Sequence, residues 1–345
     1  MVCKIPLQSS NLITERSPKQ LSLFPFRETT SQLLIPQKTS QRLKTVSLFS
    51  GCGGMDLGFL GEFEFLDNHY QKLPFETIWA NELNPHACKT YKHNLSHEII
   101  CGDIWEVIDT IPKEADVIIG GFPCQDISIN GKRRGIAGER SGLYKAMVTA
   151  VSQVRPKIFV AENVKGLLMK GAQDSLAKVL SDFRNLGYDV SYELYNAAAF
   201  GVPQTRDRVF IVGTQSGVRF THPQPILAKD DYITAREALI DLEPLPETPE
   251  INHIWSKANR SQDQGNRCLK ADRAGYTIRA ECHGNIQFHY KYPRRISMRE
   301  AARIQSFPDN FIFQAKLRET ERQIGNAVPP VLAWFVARAV AEALS

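Results

Sequence analysis

The stretch "TVSLFSGCGGMDLGFLGEF" runs from Thr45 to Phe63, and its reading decides the fold. "TVSLFS" is a short apolar run with the length of a buried strand, and "MDLGFLGEF" follows at once as a helix. The glycines between them make a tight strand-to-helix turn and let backbone approach a ligand closely. They do not form G-x-G-x-x-G, so a dinucleotide site is not favoured.

The rhythm continues outward from there. "ETIWANE" is a second strand, and "NPHACKTYKHNL" is a helix with an Asn-Pro start signal. "HEIICGD" and "ADVIIGG" read as strands, "GLYKAMVTAVSQV" as a helix and "KIFVAEN" as a strand. "QDSLAKVLSDFRNLG" is an amphipathic helix ending at Gly187, and "YDVSYELYNA" and "RVFIVGT" are strands. Strands alternating with helices predict an α/β fold with a doubly wound, mostly parallel sheet. Between Gly58 and Glu76 the chain is longer than a simple connection requires.

Beyond Gly213 the rhythm stops, which predicts a smaller, irregular domain with short strands such as "YTIRA" and "NIQFHY". Regularity returns in the helix "SMREAARIQSF" and in a final helix, "VPPVLAWFVARAVAEAL", that Pro329 or Pro330 can start. Residues 1–41 are rich in Ser, Thr, Gln, Lys and Pro and read as a loosely structured leader. The expected division is therefore 1–41, 42–214, 215–312 and 313–345.

The chain has 345 residues, 43% hydrophobic and 23% charged, enough to bury a core. No apolar run approaches the ~18 residues of a membrane span, and "MVCKIPLQSSNLITERSPKQ" lacks the apolar core of a secretory signal. A soluble intracellular protein is expected. The seven cysteines are odd in number and include no Cys-x-x-Cys, so neither a disulfide framework nor a zinc site is predicted. Net charge is +5, but its distribution is uneven. Residues 215–250 hold three Lys/Arg against seven Asp/Glu, and residues 251–295 hold nine against three. Trp255, Tyr276, Phe288, Tyr290 and Tyr292 are interleaved in the second stretch. Such a surface is either a nucleic-acid footprint or a solvated face with core aromatics.

Ligands of open α/β sheets bind outside the carboxyl ends of the strands. Glu82 ends the second strand, where a carboxylate accepts from a ribose diol, and Asp103 ends the third, placed to accept from an adenine amino group. Each alone is as well read as a cap, but with the glycine turn they outline an adenosine-sized site. Cys124 follows the strand "ADVIIGG" in "GGFPCQDIS". An isolated cysteine is usually an inert thiol. Here the next residues, "INGKRRGIAGERSG", bring Lys132, Arg133, Arg134 and Arg140, which favour thiolate, among glycines that suit a lid. Glu162 lies in "AENV" at the next strand end, and "QTRDRVF" puts Arg206 and Arg208 on one strand face.

The ordered series "SLFSGCGGMDLGF", "GGFPCQDIS", "AENV", "QTRDRVFIVG", "RRISMREAARIQSFPDNF" and "QIGNAVPP" resembles the DNA (cytosine-5)-methyltransferase family over about residues 45–345. The resemblance implies the S-adenosylmethionine-dependent methyltransferase fold, S-adenosylmethionine as cofactor and cytosine in double-stranded DNA as substrate. It implies Cys124 as the nucleophile at C6, Glu162 at N3, Arg208 at O2 and Arg206 in support of the same pocket. The target must leave the stack, because C5 and C6 are not open to attack within it. By the same resemblance Phe49, Gly51, Gly53, Gly54, Glu82, Asp103, Pro123, Asn326 and Val328 surround the cofactor. Leu83 stands where some members place an aromatic, so Ile104 is expected to pack the adenine instead. The segment up to residue 312 becomes the target-recognition domain. There Arg267, Arg273 and Arg279 are expected at base edges, while Lys132, Arg133 and Arg134 meet DNA backbone.

The biology implied is a monomeric bacterial enzyme of the cytoplasm that protects host DNA from a cognate restriction endonuclease sharing its site. The alternatives are a solitary regulatory DNA methyltransferase and an RNA cytosine methyltransferase on the same scaffold. A nicotinamide oxidoreductase is opposed by the missing G-x-G-x-x-G. A silent DNA-binding regulator is opposed by the presence of Cys124 and Glu162.

Overall fold

The computed structural model describes residues 42–122, 142–257, 267–280 and 287–345. The leader, 1–41, lies outside the described residues.

The opening stretch folds as its pattern dictates. β1 (Leu43–Leu48) is buried along almost its whole length, and the glycine turn leads into α1 (Gly54–Leu60). A small antiparallel hairpin, β2 (Phe63–Phe65) and β3 (Asn68–Tyr70), accounts for the extra length before β4 (Phe75–Glu82). Asn84 caps α2 (Pro85–Asn94), its side chain accepting from the backbone N–H groups of His86 and Ala87, with Pro85 in the first turn. The chain continues through β5 (Ile100–Cys101), α3 (Ile104–Val107) and β6 (Val117–Gly121). It then forms α4 (Leu143–Val154), β7 (Ile158–Val164), α5 (Gln173–Asn185) and β8 (Asp189–Asn196). Last in this part come β9 (Gln204–Thr205) and β10 (Asp207–Thr214).

Seven strands form one sheet in the order β5-β4-β1-β6-β7-β10-β8. The first five run parallel, and β10 is antiparallel to both its neighbours. This reversal places the start of β10 at the carboxyl edge of β7, so Arg208 pairs with Val164 there. The near-continuous apolar character of β6 and β7 fits strands covered on both faces. Sheet residues Val46, Leu48, Ile118 and Phe159 share one core with Met147 and Val151 of α4 and Val179 and Phe183 of α5.

Beyond Thr214 regular structure is sparse, as expected. α6 (Ala235–Leu239) and α7 (Met298–Ile304) each begin with a complete capping box, Thr234 with Glu237 and Ser297 with Glu300. "YTIRA" yields only the two-residue β11 (Gly275–Tyr276), paired with β9. "NIQFHY" yields isolated bridges at Phe288. These short pieces surround a second apolar cluster that includes Leu239, Leu269, Ile278, Ile296, Ile304, Phe307 and Phe313.

α8 (Leu317–Asn326) and α9 (Pro330–Ala343) return the chain to the sheet. α9 lies on α1 because Gly58 has no side chain: a Cβ there would stand 2.4 Å from the Ala333 Cβ and 2.6 Å from the Pro330 carbonyl oxygen. By length and composition Leu317–Ala343 is apolar enough to cross a membrane, contrary to the sequence expectation. Its most apolar window is 89% buried inside the fold, as the core helix of a globular protein is.

Candidate active site

Three neighbouring strand ends bring a carboxylate and a guanidinium together. In register, Gly121 of β6 stands opposite Glu162 of β7, and Glu162 stands opposite Phe210 of β10. A Cβ on Gly121 would lie 2.9 Å from Glu162 Oε2, so the carboxylate sits directly against that backbone. Arg208 Nε meets Glu162 Oε1 at 2.7 Å, with both side chains largely buried. Burial pushes the Glu162 carboxyl above its usual range, against the opposing pull of the Arg208 and Arg206 guanidinium groups. This edge of the sheet thus holds a carboxyl able to carry a proton beside a fixed cation. Cys124 and Pro123, three and two residues beyond β6, lie outside the described residues, as do Lys132, Arg133, Arg134 and Arg140.

Two further residues shape this edge that sequence reasoning missed. Asn163 donates through Nδ2 to the Phe122 carbonyl at 2.9 Å, tying β7 to the chain that leads to Cys124. Asn81 donates through Nδ2 to the carbonyls of Ile100, at 3.1 Å, and Gly102, at 3.0 Å, fixing the turn before Asp103. Their signal was weak: each is a buried amide at a strand end, visible only once the strands are paired.

Arg206 lies just outside the strand that carries Arg208. It precedes β10, is 0% exposed, and donates to the backbone carbonyls of Ile278, Gly325 and Ala327 at 2.7–3.0 Å. Its positive charge still acts on Glu162.

The second half of the site lies along β1, β4 and β5. Glu82 accepts from the backbone N–H of Gly51 at 2.9 Å and of Asn84 at 2.8 Å, which joins the glycine turn to the β4 end. Gly51 has φ +58°, and a Cβ there would meet nothing within 4 Å. Phe49 also has a positive φ, 55°, the kind of strained backbone that persists where structure over-determines it. Gly54 packs so closely that a Cβ would lie 2.5 Å from the Val328 carbonyl oxygen. The glycine turn and the segment Asn326–Val328, between α8 and α9, are therefore neighbours. Gly53 is as tightly enclosed, by Leu95 and Tyr91. Asp103 is exposed and caps α3 by accepting from the Trp105 N–H at 2.9 Å. Leu83 is 67% exposed, whereas Ile104 belongs to the core, with Phe49 and Trp105 packed on the same cluster. Cys52, inside the glycine turn, is buried with its thiol pushed up to about 12, so it remains a thiol.

Of the three arginines expected at base edges, Arg273 pairs with its neighbour Asp272 at 3.2 Å. Arg267 stands over the Tyr276 ring at 5.7 Å, and Arg279 is exposed.

An open glycine turn at the first strand end, acidic residues at the next two and a buried Glu162–Arg208 pair on the other side of β1 are the arrangement expected of a methyl-transferring α/β enzyme. Solved structures share this fold. The S. pombe Dnmt2 methyltransferase superposes with a TM-score of 0.64 at 19% identity, covering 88% of this chain and 98% of that one. The Entamoeba histolytica methyltransferase EhMeth does so with 0.63 at 16% identity, covering 88% and 99%. The C-5 cytosine-specific DNA methylase family matches over residues 43–287 and 246–342, and the chain belongs to that family. It is 38% identical over 328 residues to the type II methyltransferase M.NgoFVII of Neisseria gonorrhoeae, covering 85% of this chain and 84% of the relative. It is 33% identical over 342 residues to the type II methyltransferase M.FnuDI of Fusobacterium nucleatum, covering 88% and 95%. The protein is a DNA cytosine-5 methyltransferase that uses S-adenosylmethionine.

The residues present fit that cofactor, because the open space beside Gly51, bounded by the Glu82 carboxylate, is a cradle that a side chain would fill. Gly51→Ala supplies the test. Left-handed backbone costs a non-glycine residue about 1–2 kcal/mol, so melting shifts only a few degrees. Filling the cradle is worth about 1–3 kcal/mol of overpacking, so cofactor affinity should fall roughly tenfold to a hundredfold. Calorimetric titration beside a melt of the ligand-free protein separates the two, and unchanged affinity would remove Gly51 from the cofactor site.

Proposed function

We propose that the protein methylates one cytosine within a specific duplex DNA sequence through a covalent Cys124 adduct, and that it is the modification member of a bacterial restriction–modification pair. The observation that carries the reading is the Glu162–Arg208 pair, set against the strand that leads to Cys124 and one strand away from β1. The bound cofactor supplies an electrophilic methyl group. The chain's own residues make C5 of the base able to take it. The Cys124 thiolate adds to C6, and charge that develops on the ring is drawn to N3, where Glu162 donates a proton. Arg208 holds O2 beside it. A base or water then removes the C5 proton, the C6–sulfur bond breaks to return the thiolate, and the N3 proton goes back to Glu162.

Residues 42–214 would carry catalysis, 215–312 recognition, and 313–345 would return to close the cofactor side. Two features support this division. The apolar cluster around α7 is separate from the one between the sheet and α4 and α5, and the cationic and aromatic residues concentrate after Ile251. The named relatives are type II methyltransferases, which favours a partner nuclease with the same site. We place the enzyme in the bacterial cytoplasm as a monomer.

Expression in cells without their own cytosine methylation, followed by base-resolution mapping of 5-methylcytosine, is expected to show one sequence context. The partner nuclease should then fail to cut that DNA. Methyl groups found on RNA and not on DNA would overturn the reading. A nuclease that cuts the methylated DNA normally would remove the protective role alone.

A further inference from the structure

We propose that Arg279 is a specificity-determining residue that reads the edge of a guanine beside the target cytosine, and that Arg206 is the positioning residue that sets it there. The proposal rests on the reading of residues 215–312 as the recognition part.

Both polar groups of the Ile278 backbone are held by side chains from the start of the β9–β10 segment. Gln204 Oε1 accepts from the Ile278 N–H at 2.8 Å, and Arg206 Nη1 donates to the Ile278 carbonyl at 2.7 Å. Thr277 Oγ1 donates to the Thr205 carbonyl at 2.8 Å. Arg206 Nη2 also donates to Gly325 and Ala327, on either side of Asn326. Gln305 braces the same loop, donating to the Ala327 carbonyl at 2.6 Å while it accepts from Gln204 at 2.5 Å. The peptide after Arg279 lies directly on Gly325, where a Cβ would stand 2.4 Å from the Arg279 carbonyl carbon and from the Ala280 nitrogen. Only glycine at 325 admits this close backbone approach. The backbone of Arg279 is thus in fixed register with the cofactor-side loop and, through Arg206, with Arg208 two residues further on.

The side chain contrasts with that rigid backbone. Arg279 is exposed, and among the described residues its guanidinium has no hydrogen bond or ion pair. Arg273 is engaged by Asp272, and Arg267 lies over Tyr276. A planar five-donor fork on a pre-positioned backbone suits bidentate contact with guanine O6 and N7. A phosphate contact needs charge near the groove and no fixed register to the target pocket.

The test is a duplex library with randomised flanks, methylated by the purified full-length protein and mapped for 5-methylcytosine. Wild-type protein defines the preferred sequence; a library methylated without preference, or not at all, would mean that the underlying functional reading has failed. Arg279→Ala should reduce discrimination at one guanine-bearing position by roughly tenfold to a hundredfold, leaving the other positions as they were. Arg206→Lys should relax the same position, and the double variant should relax it no further than Arg279→Ala does. An Arg279→Ala protein that is slower on every sequence alike would make Arg279 a phosphate contact and overturn the proposal. Losses for the two variants that fall at different positions, or that add, would overturn the positioning role. Arg279 is exposed, so its arm decides the first point even where Arg206→Lys does not fold.

Discussion

The Cys124→Ser protein is expected to bind S-adenosylmethionine as the parent does and to transfer no methyl group. A thiol near neutral pH is a few per cent thiolate even without help, and its sulfur is strongly nucleophilic; a serine hydroxyl offers neither property. The cofactor cradle we propose is built on Gly51 and Glu82, which bond to each other, so binding and chemistry should separate. Incorporation of labelled methyl groups into DNA measures the second, and calorimetry the first. The parent enzyme should also become trapped on DNA carrying 5-fluorocytosine, because fluorine does not leave C5 as a proton does, and the complex should survive denaturing electrophoresis. The serine variant should form no such complex. Turnover by the serine variant at the parent's rate would remove Cys124 from the reaction.

How far the sequence reveals this molecule depends on the range of the interactions. The strands of the parallel sheet were legible because a strand covered on both faces is apolar throughout, as in "ADVIIGG" and "KIFVAEN". α2 was legible because Asn84 and Pro85 carry their capping chemistry locally. α8 was not read as a helix. Its covered face carries only Leu317 and Ile324 as large apolar residues beside Thr320 and Gln323, a short signal within ten residues. The hairpin at Phe63–Tyr70 was felt only as surplus length, since its turn uses Leu66 and Asp67 at positive φ, where no Gly or Asn gives a signal. "YTIRA" shows the strand pattern, yet both backbone groups of its central Ile278 bond to side chains, those of Gln204 and Arg206, and not to a ladder. The same long-range bonds explain Arg206. Local spacing pairs it with Arg208, but it does not show the three carbonyls, more than seventy residues away, that take up its guanidinium. The candidate residues Glu82, Glu162 and Arg208 were visible because strand ends are visible. Asn81 and Asn163 were not, because their role is to join strands that only the sheet order makes neighbours.

Replacing Glu162 by Gln is expected to slow the chemical step by ~10²-fold or more while DNA binding changes little. Gln is nearly the same size and still donates to N3, but it has no proton to give as charge develops there. The pH profile should identify the lost function. Burial raises the folded-state carboxyl above its ordinary value, with Arg208 and Arg206 opposing the shift. The proton-donating form is the acid form. The contribution of Glu162 is therefore full below that raised value and declines as pH rises through it. The Gln variant should lose this decline, so its single-turnover rate should be flatter over the same range. Stability must be followed in parallel, because the change removes the negative charge that faces the buried Arg208 guanidinium at 2.7 Å. Removing one member of a buried pair costs about 3–5 kcal/mol when the remaining charge is left uncompensated. Rates should accordingly be compared well below the variant's melting temperature. If binding and rate fall together and the pH profile keeps its shape, Glu162 is an anchor for Arg208 at the end of β7 and does not act on the base.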